Sequence, residues 1–188
     1  MDITRFQRTT VHFTSEVSVE GYKSLDGEYR VSLSSASEAV GYEKTWVSQM
    51  VRKQTKTLKA LQGLGFTGGI EEGQIAERSS GISGASVVKT ISLDDFSFLI
   101  IYAAAKGKPP AIALNRALVK MSLYDFFCNA FGDRLLTFEE KLEIFYKAYA
   151  ETIDWLADDR LEIEALALPG DPPEIINWNA SFLILDDN

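Results

Sequence analysis

The residues with the most chemical content lie between positions 41 and 60. Lys44, Arg52, Lys53, Lys56 and Lys59 stand there against Glu43 alone, with Thr45, Ser48 and Gln49 interleaved. Lys and Arg supply the phosphate attraction that dominates nucleic-acid affinity. Ser, Thr, Gln and Arg carry donors and acceptors that match base edges in the major groove. The pattern predicts that Thr45, Ser48, Gln49 and Arg52 face a DNA groove while Lys44, Lys53, Lys56 and Lys59 meet phosphates. A solvated helix face has the same composition and is the plain alternative.

Other chemistry has thinner support. A single cysteine, Cys128, excludes an internal disulfide and a multi-cysteine metal site. It sits between Phe127 and Asn129 and reads as a buried structural thiol. The one histidine, His12, lies between Val11 and Phe13 with no partner in view for general base work. Asp94-Asp95 and Asp158-Asp159 could hold a divalent cation, as a metal-dependent nuclease requires. Such pairs at helix ends are also caps and solvated surface. The glycine-rich stretch 63–84 has neither a G-x-x-x-x-G-K-[ST] run nor a strand–G-x-G-x-x-G–helix context, so it makes a poor nucleotide site. No catalytic residue, cofactor or metal ligand is assigned, and the chain reads as non-enzymatic.

The basic run needs an element to present it. Residues 35–61 read as helix, tight turn and longer helix, a helix-turn-helix with Gly41 in the turn. Ser35-Ala36-Ser37-Glu38 is a capping box for the first helix, about Ala36 to Val40. The second helix is expected over 43–61, ended by Gly63 and Gly65. On a helical wheel Trp46, Val47, Met50, Val51, Leu58 and Leu61 form one apolar stripe about 140° wide, and no carboxylate interrupts the opposite face.

Before this pair, residues 9–33 alternate as strands, with a hairpin closing near Asp26-Gly27. After it, residues 67–91 read as a Gly/Ser-rich loop or β-ribbon. Ser92 opens a core helix that is apolar nearly all round. Pro109-Pro110 start the next, Ser122 caps another that ends at Gly132, and the capping box Thr137–Glu140 opens a long helix to about Leu156. The aromatic residues Phe126, Phe127, Phe131, Phe138, Phe145, Tyr146 and Tyr149 read first as a core knitting these helices together. An exposed strip that pairs with a second copy or another protein is the second reading. The tail breaks at Pro169–Pro173 and ends in the apolar run Phe182–Leu185.

The chain of 188 residues, 46% hydrophobic and 24% charged, is long enough for one domain with a real core. It has no run of 18 apolar residues and no leader-like start, so a cytoplasmic protein without membrane contact is expected. Net charge is −8, which opposes a nucleic-acid partner, but residues 1–120 carry +3 and residues 121–188 carry −11.

The segment Tyr29–Tyr42, YRVSLSSASEAVGY, resembles the opening of phage antirepressor and Bro-type N-terminal domains, where a strand leads into a short helix and a Gly-Tyr turn. The run Ile91–Phe96, ISLDDF, is similar to small uncharacterised cyanobacterial proteins, as are Ala111–Leu118 and Ala130-Phe131-Gly132. The resemblance spans residues 16–132. It implies an α+β fold and a regulator tied to phages or mobile elements, and it supplies no catalytic residue.

The expectation is therefore an α+β protein: a small N-terminal antiparallel sheet with a helix-turn-helix (1–66), a loop or ribbon (67–91), and a C-terminal bundle of about four helices with an acidic tail (92–188), the three forming either separate parts or one domain. Its function would be that of a DNA-binding regulator inserting helix 43–61 into the major groove of double-stranded DNA, with a homodimer through the C-terminal helices. A protein-interaction module, whether antirepressor, adaptor or nucleic-acid mimic, is the second reading, and a metal-dependent nuclease the third.

Overall fold

Two short turns fold the first strands against each other. In the computed structural model, which describes residues 4–15, 17–75 and 87–166, strand β1 (Thr4–His12) pairs antiparallel with β2 (Ser18–Ser24), placing Val11 opposite Val19. β2 pairs antiparallel with β3 (Tyr29–Ser32) across the expected Asp26-Gly27 turn, which the Gly27 N–H closes by donating to the Ser24 carbonyl. The glycine-rich region contributes two further strands, β4 (Glu71–Ile75) and β5 (Val87–Ser92), an antiparallel pair. These do not stand apart as a ribbon. β5 pairs with β3, and β4 pairs in parallel with the start of β1, so five strands close into a barrel in the order β1-β2-β3-β5-β4. Closure joins the two outer strands over Thr4–Phe6 and Gly73–Ile75, so neither has an open edge there. The expected small antiparallel sheet is thus a mixed, closed one.

Arg30 on β3 ties the seam together. It is buried, donates from Nε to the Thr90 hydroxyl at 3.0 Å, and sets a guanidinium nitrogen 3.1 Å from the Glu71 carboxylate. One side chain therefore links β3, β5 and β4. Phe6 and Tyr22 meet edge to face, with ring centroids 5.9 Å apart.

Three short helices bridge β3 and β4: α1 (Leu33–Ala39), α2 (Trp46–Arg52) and α3 (Lys56–Leu64). Three longer ones follow β5: α4 (Leu93–Ala105), α5 (Pro109–Phe131) and α6 (Phe138–Leu166). Val19, Val31, Leu33, Val47, Leu58, Leu61, Ile91, Leu99 and Leu114 share one core between the sheet and the helices. α4 lies across it with Phe96, Leu99, Ile100 and Ala103 buried, as its apolar composition implies.

Several local expectations change. α1 is capped by Ser32, whose side chain accepts from the Ser35 N–H, and the Ser35 hydroxyl instead accepts from the Glu20 N–H on β2. The two helices expected over 111–120 and 122–131 are one, because Ser122 lies exposed in the middle of unbroken α5. The C-terminal set is therefore three helices. α5 and α6 form an antiparallel hairpin: Arg116 donates to the Ala148 carbonyl and Thr152 hydroxyl, while Lys141 reaches Asp125 at 2.8 Å. The capping box at the start of α6 forms as expected, and the helix runs ten residues past the expected Leu156. The expected breaks at Pro169–Pro173 and the Phe182–Leu185 run lie outside the described residues.

Candidate nucleic-acid interface

The helix expected over 43–61 is two helices. α2 ends at Arg52, Gln54 takes a left-handed φ of +49°, and α3 begins after Thr55. The Thr55 side chain explains the break: its hydroxyl accepts from the Leu58 N–H at 3.3 Å, offering that donor a partner other than a helical carbonyl. The apolar stripe survives, because Val47 and Met50 on α2 and Leu58 and Leu61 on α3 are all buried. Wheel position alone does not distinguish one bent element from one straight one.

α2 is held in place by what surrounds its N-terminus. Thr45 makes no side-chain cap there. Ser37 of α1 supplies it: its buried hydroxyl donates to the Leu33 carbonyl at 2.7 Å and accepts from the Val47 N–H at 3.3 Å. Gly41 sits in the turn with φ +82°, and a Cβ there would come 3.3 Å from Pro110 at the start of α5. Tyr42 stacks on Trp46 with centroids 3.9 Å apart and planes 4° from parallel, and Tyr102 of α4 continues the stack. The Lys108 ammonium lies 4.5 Å from the Tyr42 ring centroid. Burial pushes the Tyr42 hydroxyl above its usual range.

On this support the eight candidate residues face outward. Lys44, Thr45, Gln49, Arg52, Lys53, Lys56 and Lys59 are exposed and Ser48 is half-buried. They do not act as one row. Lys44 lies 3.4 Å from the Glu38 carboxylate. Gln49 donates to the Thr45 hydroxyl and Ser48 to the Thr45 carbonyl, both at 2.9 Å, so the polar groups expected to read bases hydrogen-bond among themselves. Arg52, Lys53, Lys56 and Lys59 make no ion pair among the described residues. No aspartate or glutamate occurs anywhere from Lys44 to Ile70. At seven residues α2 is only about 10 Å long, two turns against the five expected of helix 43–61.

Comparison with protein-family models, curated proteins and solved structures returns no match.

Of the two acidic pairs, Asp95 has a structural partner. Asp95 is buried at the first turn of α4, and its carboxylate accepts from the Thr67 N–H at 2.7 Å and the Thr67 hydroxyl at 2.8 Å. Asp94 is exposed, and Asp158 and Asp159 lie on α6. No three His, Cys, Asp or Glu side chains converge among the described residues. His12 is exposed at the end of β1, and Cys128 is half-buried on α5. No helix among the described residues is long and apolar enough to cross a membrane. The residues that sequence reasoning missed are Ser37 and Thr55. Ser37 stands in the sequence only as part of a capping box, and Thr55 is not singled out by the polar pattern.

Proposed function

We propose that this chain is a DNA-binding module that grips the phosphate backbone with the cations at the α2–α3 corner. Arg52 and Lys53 end α2, and Lys56 and Lys59 lie on α3. The observation that carries the reading is the set of four exposed cations that make no ion pair among the described residues, in an acid-free stretch of a protein with net charge −8. Unlike Lys44, which pairs with Glu38, these four are not spent on an ion pair among the described residues, so they remain available to phosphate. The short α2 argues for phosphate contact rather than deep insertion of a single long helix, and Thr45, Ser48 and Gln49 take a secondary part. The resemblance of residues 29–42 to antirepressor-type domains supports a regulatory role.

The test is fluorescence anisotropy with random-sequence duplex DNA from about 50 to 200 mM salt. Each neutralised phosphate contributes about −0.9 to the slope of log K against log salt, so four contacts give about −3.6. The variant Arg52→Ala/Lys53→Ala/Lys56→Ala is expected to lose most binding and flatten the slope to about −1. Absence of binding at 50 mM salt, or an unchanged triple variant, rejects the reading.

A further inference from the structure

Only part of the aromatic set of the C-terminal hairpin joins the core, Phe145 with Tyr149 packed beside it. Phe145 is buried, but Phe126, Phe127, Phe131 and Phe138 are 61–77% exposed, and Val119 and Leu123 are about half exposed. On α5, residues 119, 123, 126 and 127 fall within about 100° of one another, on one stripe at 100° per residue. That stripe points away from Leu114 and Ala117, which face the core. Phe131 continues it by stacking on Phe127, with ring centroids 6.3 Å apart, and the exposed Phe138 opens α6 after the hairpin turn. These six side chains leave roughly 700 Å² of apolar surface in water, taking about 200 Å² for a phenylalanine. The largest apolar patch on a typical monomer is about 300–600 Å².

We infer that this face is where a second copy of the chain docks, α5 against α5. The area matches the roughly 800 Å² that each partner contributes to a standard interface. Charge also permits a second copy. From Met121 to Gly132 the only charged residue is Asp125, which is turned to Lys141 inside the hairpin. Arg116 shares this side of α5 but is drawn to Ala148, Thr152 and Glu151 of α6, so from Leu123 to Phe131 the face can meet its own copy without repulsion. The exposed side of α6, with Glu139, Glu143, Glu151 and Asp154, cannot. In a twofold pairing the same stripe serves both partners, as an isologous contact requires. This inference does not depend on DNA binding.

Light scattering on the full-length chain tests it. One chain is 20.9 kDa, and the wild type is expected at twice that mass at about 10 µM. Phe126→Lys is expected to elute as a monomer with an unchanged near-ultraviolet circular dichroism spectrum, while Ile101→Lys, an exposed apolar site on α4, stays dimeric. Should Phe126→Lys fail to fold, Leu123→Ser/Phe127→Ser replaces it, with dimer affinity expected to fall at least about 100-fold. A wild type that is monomeric at 200 µM overturns the inference and points to another protein, or another part of this chain, as the cover. Dimers that survive both sets of substitutions overturn it as well.

Discussion

The buried Asp95 carboxylate allows a quantitative test of how the barrel is joined to the helices. It sits in the first turn of α4, where the partial positive charge of the helix end favours an anion, and it holds Thr67 by two short hydrogen bonds. Thr67 lies between α3 and β4, so the clamp fixes the approach to the barrel's closing strand. Hydrogen bonds to a charged group are worth about 1.5–3 kcal/mol each. Thr67 is exposed, so water replaces part of what is lost, and Asp95→Ala is expected to cost about 2–4 kcal/mol. Asp95→Asn keeps an acceptor for the Thr67 N–H, and the Thr67 hydroxyl can turn to accept from the new amide. Its cost is expected near 1 kcal/mol. Urea unfolding with unchanged m values measures both. If Asp95→Ala costs less than about 0.5 kcal/mol, or the two variants cost the same, the clamp as described is wrong.

Gly65→Ala is expected to destabilise by about 2–3 kcal/mol in the same assay, because the residue has φ +114° and a Cβ would come 2.8 Å from the end of the Phe98 ring. A neutral result would mean that the end of α3 can refold around a side chain. Glu140 is held down to about 2 from its ordinary 4.5, first by the Arg134 guanidinium and then by the Thr137 N–H. A depressed carboxylate adds stability above its unfolded value, and that contribution is lost as pH falls from about 4.5 toward 2. A carboxyl titration by NMR should show it, and Arg134→Ala should return the midpoint toward 4.5.

Much of this architecture is readable from local chemistry. The Asp26-Gly27 turn, the Ser92 cap of α4, the αL glycine at Gly65 and the Thr137–Glu140 box all act through atoms a few residues apart, so a sequence window contains both partners. What is not readable depends on partners far away in the chain. The barrel closes through Thr4–Phe6 against Gly73–Ile75, and nothing near either segment announces the other. The cap on α2 comes from Ser37, ten residues upstream. The break at Gln54 was open to reading in principle, since Thr55 followed by an apolar Leu58 is an N-cap pattern, but the continuous stripe obscured it. The basic surface was legible as composition. Its division into interbonded Thr45, Ser48 and Gln49 and, among the described residues, the unpaired Arg52, Lys53, Lys56 and Lys59 needed coordinates. The aromatic residues illustrate the same limit, because helical periodicity shows that a face is apolar and not what covers it.

The parallel seam between β1 and β4 also bears on the order in which the molecule assembles. The two segments lie about seventy residues apart, and they cannot register until β2, β3 and the three short helices have brought them together. Contacts of such long sequence separation form late, after loop-closure entropy has been met by local structure. The β1–β2 and β2–β3 hairpins and the α5–α6 hairpin are local and can form early. Closing the barrel then follows the rate-limiting step, and substitutions at the seam should mainly hasten unfolding and leave the folding rate nearly unchanged. Until it closes, the strands that become the seam are unprotected, so protection against amide exchange at Arg5 and Phe6 would report completion of the fold.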